Sequence, residues 1–264
     1  MRPKSSAVLL ARRNVSKLPW ARPFVATLRC AVPYLPVRQY LPDKSQIWRY
    51  FGDLSVSRII EEIYVAMVYN CLPGFGPRNG ETVLDVGAHV GVYVRQAARR
   101  VGRNGLVVAV EADPRNFALL TRNSRLSPDS QIICVNLALW RNSGDVVLHR
   151  DPSRFGAHSV VFQRGKELVR VKAETLDNLV SQLNLTKVSL IKMDVEGAAL
   201  DILRGGTETL VKWKPRIVCA AYHTPDEARL LESLLRPFGY DIETRDVRLP
   251  FAEGPEVYLF ATPK

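Results

Sequence analysis

Cysteine is scarce in this chain of 264 residues, and its distribution excludes two kinds of site. The four cysteines are far apart, and none stands in a Cys-x-x-Cys or Cys/His spacing that holds zinc. Nor does their scatter resemble a disulfide framework. We therefore expect reduced, buried thiols and a cytoplasmic location, and we assign no metal site. The cysteines are Cys30, Cys71, Cys134 and Cys219.

Long uncharged apolar runs are also missing. A membrane-spanning helix needs about 20 consecutive apolar residues, and no run in this sequence reaches that length. A secretory signal peptide needs a shorter continuous apolar segment, but basic residues interrupt every candidate near the N-terminus. A targeting peptide is therefore the weaker interpretation of this segment. The interrupting residues are Arg12, Arg13, Lys17, Arg22 and Arg29.

Acidic residues are rare at the N-terminus. Residues 1–50 hold ten Lys and Arg side chains against the single acid Asp43, so they carry +9 of the total charge of +11. Apolar and aromatic residues are interleaved with these charges, which is typical of a helix on an anionic membrane surface or of a segment that binds nucleic acid. Alternatively, prolines such as Pro19 and Pro23 break any long helix, and the segment is a solvated, partly disordered leader.

A glycine turn is the most informative feature that the sequence does contain. The run Thr82–Val86 is apolar and β-branched apart from Asp85, which predicts a strand. Gly87 and Gly91 then bracket a short turn, and a helical pattern begins near Tyr93. The sequence therefore predicts a strand, a tight turn and a helix.

A carboxylate follows the glycine turn at the sequence separation that is typical of nucleoside-binding βαβ units. The apolar run Leu106–Val110 predicts the next strand and ends in Glu111. This acid lies about 20 residues past the first glycine, where a βαβ unit places the ribose hydroxyls of a bound nucleoside. Glu111 is therefore a candidate for contact with a nucleoside.

The spacing of the glycines decides which ligand is favoured. Dinucleotide-binding folds use G-x-G-x-x-G so that backbone amides approach a pyrophosphate, whereas this chain reads D-x-G-x-x-x-G. The anionic Asp85 would repel phosphate but attract a cationic or amine-bearing ligand, directly or through water. S-Adenosylmethionine carries both a sulfonium and an ammonium. The alternative is a glycine turn in some other α/β protein.

These residues support a resemblance to a known superfamily. Asp85, Gly87 and Gly91 together with Glu111 are similar to the first two motifs of class I S-adenosylmethionine-dependent methyltransferases. One departure is His89, which stands where the family usually carries a polar amide. This departure puts the contact to the methionine part of the cofactor in doubt, but it leaves the turn itself intact.

A later run narrows the resemblance to one family. Residues 190–206 read L-I-K-M-D-V-E-G-A-A-L-D-I-L-R-G-G, which closely resembles the K-x-D-x-E-G and L-x-G signature of the FkbM methyltransferases. Between the two regions, Ala138–Leu139 and residues 174–179 resemble the A-L and L-D-x-L positions of that family in the same order. The likeness covers residues 80–264, and the ordered combination is far more specific than any single motif.

The resemblance implies roles for individual residues. Glu111 would bind the ribose hydroxyls, the glycine turn with Asp85 the methionine part, and residues 136–138 the adenine edge. Asp194 would line the methyl-donor crevice, and Glu196 would stand near the acceptor. The implied cofactor-binding residues are Asp85, Gly87, Ala88, His89, Gly91, Glu111, Ala112, Asn136, Ala138 and Asp194.

Downstream, predicted strands and helices alternate as in a doubly wound α/β fold. The resemblance implies a Rossmann-like, mostly parallel, seven-stranded sheet that an antiparallel C-terminal pair closes. Beyond the first two strands, the predicted core strands are 131–137, 188–194, 216–221, 241–245 and 257–262, and inserted strands are predicted at 145–149, 159–162 and 167–172. Helices are predicted at 117–124, 198–203 and 225–235.

Composition also suggests a division of the chain. Residues 55–69 show helical spacing of apolar side chains, and the proline- and glycine-rich segment 71–77 ends that pattern. We therefore expect a basic N-terminal extension at 1–54, a helix and linker at 55–79 that packs on the sheet or covers a pocket, and a methyltransferase domain at 80–264.

Charged residues at one strand end are the first catalytic candidates. Lys192, Asp194 and Glu196 share one side of the strand if it extends that far. Burying three charges on one side is costly without a partner or a ligand. The alternative is that Lys192 and Asp194 neutralise each other while Glu196 caps the next helix beside Gly197.

A histidine in a nearby loop is the other catalytic candidate. His223 follows the predicted strand 216–221, and a neutral imidazole can take a proton from an acceptor hydroxyl near pH 7. The alternative is that His223 caps the helix that begins at Pro225. His223 and Glu196 are thus the two predicted proton acceptors.

The sequence therefore predicts an O-methyltransferase that uses S-adenosylmethionine on a hydroxyl of a sugar, a glycolipid precursor or a small natural product. The basic residues 1–50 leave two alternatives open, namely an RNA or protein methyltransferase and a non-catalytic binding module on the same fold. They also allow peripheral attachment of a cytoplasmic protein to an anionic membrane. The acceptor and the oligomeric state are open at this stage.

Overall fold

The described β-strands form one central sheet, a three-stranded sheet and a hairpin. The computed structural model describes residues 31–127, 131–150, 158–163, 167–250, 252 and 254–264, so most of the predicted basic extension and Cys30 lie outside the described residues. In chain order the strands are β1 (Pro36–Tyr40), β2 (Gln46–Tyr50), β3 (Thr82–Val86), β4 (Leu106–Val110), β5 (Gln131–Val135), β6 (Ala138–Leu139), β7 (Gly144–Arg150), β8 (Glu167–Glu174), β9 (Leu190–Met193), β10 (Arg216–Ala220), β11 (Tyr240–Val247) and β12 (Glu256–Pro263).

The central sheet has seven strands in the order β11-β12-β10-β9-β3-β4-β5. The five strands from β10 to β5 are parallel, whereas β12 runs antiparallel to both β10 and β11. The predicted mostly parallel, seven-stranded sheet is therefore confirmed. Because the strand order reverses between β3 and β9, a crevice opens at the carboxyl ends of these two strands.

Helices cover both faces of this sheet. Alternate residues of β3 enter two separate hydrophobic clusters, with Val83 on one face and Leu84 and Val86 on the other. This explains why the strand reads as a nearly continuous apolar run. Within the described ranges, no helix combines the length and the apolar composition needed to cross a membrane. The helices are α1 (Ser55–Ile60), α2 (Val92–Val101), α3 (Pro114–Ser124), α4 (Leu176–Gln182), α5 (Ala199–Arg204), α6 (Thr207–Trp213) and α7 (Glu227–Leu235).

Several predicted boundaries differ from the structure for local reasons. Helix α3 begins at Pro114 rather than at residue 117, because the Asp113 side chain accepts hydrogen bonds from the backbone N–H groups of the first turn. The predicted strand 159–162 is wrong in the described part, where Ser159 forms only an isolated bridge to His149. Helices α4 and α6 were not predicted, although Thr175 caps α4 in the usual way.

The predicted helix at 55–69 is interrupted. After α1 the chain continues as a π-helix at Glu61–Ala66, Met67 then takes the left-handed conformation with φ of 52°, and a short 3₁₀ turn follows at Val68–Asn70. A π-helix adds a residue per turn and so rotates the side chains that follow away from the face that a 3.6-residue period assigns to them. The apolar spacing therefore predicts the helix but not the direction of its acidic side chains.

Part of the predicted extension belongs to the packed fold. Strands β1 and β2 form an antiparallel hairpin, and Ile47 and Tyr50 are buried in the same cluster as Val83 of the central sheet. The buried Asn123 side chain attaches this hairpin to α3, because it accepts a hydrogen bond from Trp48 N at 2.6 Å and donates to Trp48 O at 2.8 Å. Residues 36–50 of the predicted extension therefore pack against the central fold.

We expect the substitution Asn123→Ala to lower the free energy of unfolding by about 3 kcal/mol, because three hydrogen bonds are lost and buried backbone groups of Trp48 and Val90 are left unpaired. Urea unfolding measures the change, and limited proteolysis should then cut within residues 36–50. Asn142→Ala, at an exposed loop position, is the matched control and should be neutral. Equal stability of the two variants would contradict the anchoring role.

Candidate active site

A cavity opens at the carboxyl ends of β3, β4 and β9, where the strand order reverses. The empty space inside it, including its open mouth, is about 930 Å³. Nine of the predicted site residues line it, and they come from four separate segments of the chain. These are Gly87, Ala88, His89, Glu111, Ala112, Ala138, Lys192, Asp194 and Glu196.

The glycine turn forms one wall of this cavity. The backbone N–H groups of Gly87 and Ala88 both donate to Val110 O, which ties the turn to the end of β4. Gly87 has φ of +76°, and a Cβ atom at this position would lie 1.9 Å from the backbone oxygen of Asp194. Glycine is therefore required here both by conformation and by the close approach of the chain segment that follows β9.

His89 occupies a position where the backbone is left-handed, with φ of 51°. Among non-glycine residues, Asn, Asp and His adopt this conformation most readily. A histidine can therefore replace the amide that the family resemblance leads one to expect. The backbone N–H of His89 donates to Glu111 Oε2 at 2.7 Å, and its ring nitrogen Nε2 lies 3.4 Å from Asp53 Oδ2.

Glu111 is held at the end of β4 by backbone groups on both sides. Its Oε2 accepts from His89 N, and its Oε1 accepts from Asp113 N at 2.9 Å. Burial raises the pKa of Glu111, although nearby His89 and these hydrogen bonds lower it. Each oxygen has a second lone pair, so this carboxylate can still accept hydrogen bonds from a ligand in the cavity.

Asp85 and Lys192 form a buried ion pair beneath the turn. Lys192 Nζ lies 2.9 Å from Asp85 Oδ1 and also donates to Gly87 O at 3.3 Å. The Lys192 ammonium faces the aromatic rings of Tyr69 and Tyr93, with ring centroids at 5.1 and 5.7 Å. Burial lowers the pKa of Lys192, but the attraction of Asp85 outweighs it and keeps the lysine charged.

This pair changes two interpretations drawn from the sequence. Asp85 is fully buried and is not among the residues that line the described cavity, so it does not attract a cationic ligand directly. Its charge instead holds Lys192. The alternative in which Lys192 and Asp194 neutralise each other is incomplete, because Lys192 is ion-paired with Asp85 while the charge of Asp194 also raises the pKa of the lysine.

Two further predicted residues lie behind the cavity wall. Gly91 is the residue before α2, with φ of +91°, and it packs against Leu120. Asn136 donates from Nδ2 to the backbone oxygen of Glu111 at 2.8 Å and to that of Ala112 at 3.2 Å. Both residues therefore lie outside the cavity lining in the described structure, although Asn136 binds the backbone of two residues that belong to it.

Asp194 lies between a tyrosine and a histidine. Tyr69 donates to its Oδ2 at 2.7 Å, and His223 Nε2 lies 3.7 Å from its Oδ1. Burial raises the pKa of Asp194, but His223, Lys192 and Tyr69 outweigh this effect, and the net result is a pKa well below the usual value. Asp194 is therefore a stable anion at the floor of the cavity, with about a quarter of its side chain exposed.

The prediction that His223 is a neutral base is wrong. His223 Nδ1 lies 3.0 Å from Glu227 Oε2, and burial, which would lower the pKa of His223, is outweighed by the carboxylates of Asp194 and Glu227, which raise it to about 10. Such a histidine is protonated near pH 7 and cannot accept a proton. It is also not among the residues that line the described cavity. Its ring lies between the carboxylates of Asp194 and Glu227.

Glu196 reaches the cavity by a route that strand alternation does not predict. Strand β9 ends at Met193, and Glu196 takes a left-handed backbone conformation with φ of 45°. Its backbone oxygen accepts a hydrogen bond from Ser159 Oγ at 2.9 Å. The expectation that strand geometry aligns Lys192, Asp194 and Glu196 is therefore wrong, although all three line the cavity.

The cavity also contains polar residues that the sequence did not single out. His158 lines it with Nε2 3.7 Å from Asp113 Oδ2, and Asp113 is in turn held by Arg150 at 2.5 Å. Glu62 and Tyr69 line it from the π-helix and the turn after it. The sequence feature that covers Glu62 and Tyr69 is the apolar periodicity of residues 55–69. In a regular helix this periodicity would place Glu62 on the face opposite the apolar side chains.

We expect Gly87→Ala to destabilise the protein far more than Gly80→Ala. Both glycines have almost the same φ, +76° and +77°, so the conformational cost of about 1–2 kcal/mol is shared. A Cβ at Gly80 meets no atom within 4 Å, whereas one at Gly87 collides with Asp194 O. Urea unfolding compares the two variants, and equal losses of stability would contradict the close approach.

We also expect the free energy of unfolding to fall as the pH rises from 6.5 to about 10. Folded His223 keeps its proton through this window, whereas the unfolded chain releases it near pH 6.5, so stability is lost as the folded pKa is approached. In His223→Gln this part of the slope should disappear, while His149→Gln, outside the cluster, should retain it. Urea unfolding across the window is the measurement, and an unchanged slope in His223→Gln would refute the assignment.

Solved structures share the fold of this chain. A crystal structure of the methyltransferase FkbM from Methylobacillus flagellatus matches 93% of this chain and 60% of its own, with a TM-score of 0.50 and 18% identity. Fibrillarin from Aeropyrum pernix, solved with natively bound S-adenosyl-L-methionine, matches 87% of this chain and 83% of its own, with a TM-score of 0.51 and 13% identity. These likenesses concern the class I methyltransferase fold.

Curated relatives match part of the chain. The hexuronic acid methyltransferase AglP of Haloferax volcanii is 29% identical over 131 residues, which cover 49% of this chain and 52% of that protein. Methyltransferase 1 of Beauveria bassiana is 25% identical over 173 residues, which cover 58% of this chain and 68% of that protein. The match with the Haloferax protein thus spans about half the length of that relative.

The family assignment comes from the match to a family model. Residues 85–242, more than half of the chain, match the family model described as the methyltransferase FkbM domain. This range begins at the aspartate before the glycine turn and includes every other predicted site residue. The resemblance seen in the sequence motifs is confirmed, and the chain belongs to the FkbM methyltransferase family.

Proposed function

We propose that this protein transfers the methyl group of S-adenosylmethionine to a hydroxyl group of an acceptor such as a sugar, a glycolipid precursor or a small natural product. The observation that carries the proposal is the position of Glu111, a buried carboxylate at the carboxyl end of β4 that lines the cavity at the reversal of strand order. In a fold of this kind, an acid at this place accepts hydrogen bonds from ribose hydroxyls.

The residues of the cavity fit such a cofactor in three respects. Glu111 has lone pairs left for two ribose hydroxyls. The glycine turn brings backbone atoms close to the cavity because Gly87 and Ala88 have little or no side chain. Ala112 and Ala138 leave room beside Glu111 for the flat adenine ring, and Leu137 and Leu139 supply apolar surface for it.

S-Adenosylmethionine, when bound, supplies an activated methyl group on a sulfonium. The task of the protein is then to hold the acceptor oxygen in line, to exclude water and to remove one proton. The anionic Asp194 at the cavity floor can stabilise a cationic ligand, since Tyr69 and His223 keep it ionised and fixed. Of the two proton acceptors predicted from the sequence, Glu196 lines the cavity.

The name of one relative favours a sugar as the acceptor. The Haloferax relative is named for methylation of a hexuronic acid, and it matches 49% of this chain. Because the match is partial, the same acceptor class for this protein is part of our proposal. Several hydrogen-bonding groups around the cavity, including Glu62, Asn116 and His158, suit a polyhydroxylated acceptor.

We expect titration calorimetry to detect binding of S-adenosylmethionine and its loss in Glu111→Ala. The variant removes the ribose acceptor and releases the His89 and Asp113 amides, so affinity should fall at least about 100-fold, since buried charged hydrogen bonds contribute about 1.5–3 kcal/mol each. Glu208→Ala, an exposed acid on α6, is the control and should bind like the wild type. Absence of binding by the wild type would remove the proposal.

The acceptor class is tested by incubating the protein with methyl-labelled S-adenosylmethionine and fractionated cell extract. Label in a polysaccharide, glycolipid or small-molecule fraction that resists mild alkali supports an ether product and hence hydroxyl methylation. Alkali-labile label indicates an ester, whereas label in RNA or protein indicates a different acceptor class. Alkali-labile label would overturn the hydroxyl assignment, and label in RNA or protein would overturn the acceptor class, while both results leave cofactor binding intact.

A further inference from the structure

The π-helix after α1 places a carboxylate, Glu62, among the residues that line the cavity. Ile59, Glu62 and Ile63 line the cavity together with Tyr69 and Asp194. Glu62 is almost fully buried, with 4% of its surface exposed. A π-helix inside a helix is frequently found at a functional site, because it redirects a side chain that a regular helix would point elsewhere.

One oxygen of Glu62 is held while the other is left available. Arg58 Nε donates to Glu62 Oε1 at 2.8 Å from one turn earlier. Among the described residues, none donates a hydrogen bond to Glu62 Oε2. Arg58 is itself oriented by a second carboxylate, Glu256 of β12, which Tyr258 also contacts at 3.2 Å. The orientation of Glu62 is therefore fixed by groups behind it, and its second oxygen is free to face a ligand.

The surroundings of Glu62 favour a carboxyl group that titrates near neutral pH. Burial raises the pKa of Glu62, the Asp194 carboxylate raises it further and Arg58 lowers it, with a net result of about 7. A general base works best when its pKa lies close to the working pH. The charged and titratable groups around Glu62 are Arg58, Tyr69, Lys192, Asp194, Tyr222, Glu256 and Tyr258.

Other acids that line the described cavity are less suited to accept a proton. Glu111 receives a backbone hydrogen bond on each oxygen and is assigned to the ribose. Asp194 has a pKa far below neutral, so it is a weak base. Glu196 lies in the turn after β9, and its backbone oxygen accepts a hydrogen bond from Ser159 Oγ at 2.9 Å.

We propose that Glu62 is the catalytic base that removes the proton of the acceptor hydroxyl, an inference that rests on the proposed function. In the transfer, the acceptor oxygen forms a bond to the methyl carbon while the carbon–sulfur bond breaks and its electron pair goes to sulfur. The proton of the hydroxyl passes to Glu62 Oε2. The products are a methyl ether, S-adenosylhomocysteine and a neutral Glu62 carboxyl, which then returns its proton to solvent.

The test compares Glu62→Gln with the neighbouring control Glu61→Gln in single-turnover reactions. The acceptor is a fresh, unlabelled sample of the extract fraction that the wild type labels. Glutamine keeps an oxygen for Arg58 but cannot take a proton. We expect transfer by Glu62→Gln to be about 10²–10⁴-fold slower, with cofactor affinity within about threefold of the wild type by calorimetry. Glu61→Gln, which is not among the cavity-lining residues of the described chain, should react at the wild-type rate.

The pH profile separates a base from a merely structural residue. The wild-type rate should rise with pH to a plateau, with a midpoint near 7, because only ionised Glu62 accepts the proton. In Glu62→Gln this rise should be absent. A variant that keeps the wild-type rate or the wild-type midpoint overturns the inference, and so does loss of the midpoint in Glu196→Gln instead.

Cofactor binding and labelling by the wild type show whether the role of Glu62 or the proposed function is wrong. If the wild type binds S-adenosylmethionine and labels a hydroxyl acceptor while Glu62→Gln does the same at full rate, only the role of Glu62 is wrong. If the wild type neither binds the cofactor nor labels any fraction, the proposed function is wrong and the role of Glu62 falls with it. Unaltered circular dichroism of Glu62→Gln confirms that the variant is folded.

Discussion

The ion pair between Asp85 and Lys192 is the interaction on which the cavity depends. It joins β3 to β9 at the point where the strand order reverses, and both side chains are buried with no more than 5% exposed. Lys192 also binds the Gly87 carbonyl oxygen, so one buried ammonium holds the glycine turn and the strand beneath it together. Removing one partner from a buried pair leaves an uncompensated charge, which costs about 3–5 kcal/mol.

Beyond this pair, alternating charges continue across the floor of the cavity. In space, Asp194 lies next to Lys192 on one side and His223 on the other, and Glu227 of α7 lies beyond His223. Each group stabilises the ionised form of its neighbour, which is why the histidine is protonated and the aspartate is ionised at neutral pH. The chain of charges therefore maintains one anionic carboxylate in a largely apolar cavity. A second acid, Glu62, lies at the edge of this network, where burial competes with a single arginine.

Much of the fold is predictable because the periodic signals are strong. The runs Thr82–Val86 and Leu106–Val110 end in the structure at the predicted residues, since both are buried on two faces and are bounded by turn-forming or acidic residues. Short elements such as α4 and α6 escaped prediction because seven residues span only two turns, too few to establish a period. The hairpin at 36–50 escaped because its packing depends on the distant Asn123.

The sequence alone determined the order of the motifs, the glycine at the turn, the acid after β4 and, through them, the methyltransferase family. These features are local, and each follows from what a few adjacent residues can do. The tertiary structure alone decided which charges meet. It paired Lys192 with Asp85 rather than Asp194, turned His223 into a protonated support and brought Glu62 into the cavity. The physical reason is that ion pairing and desolvation depend on distances between residues far apart in the chain, which no local pattern encodes.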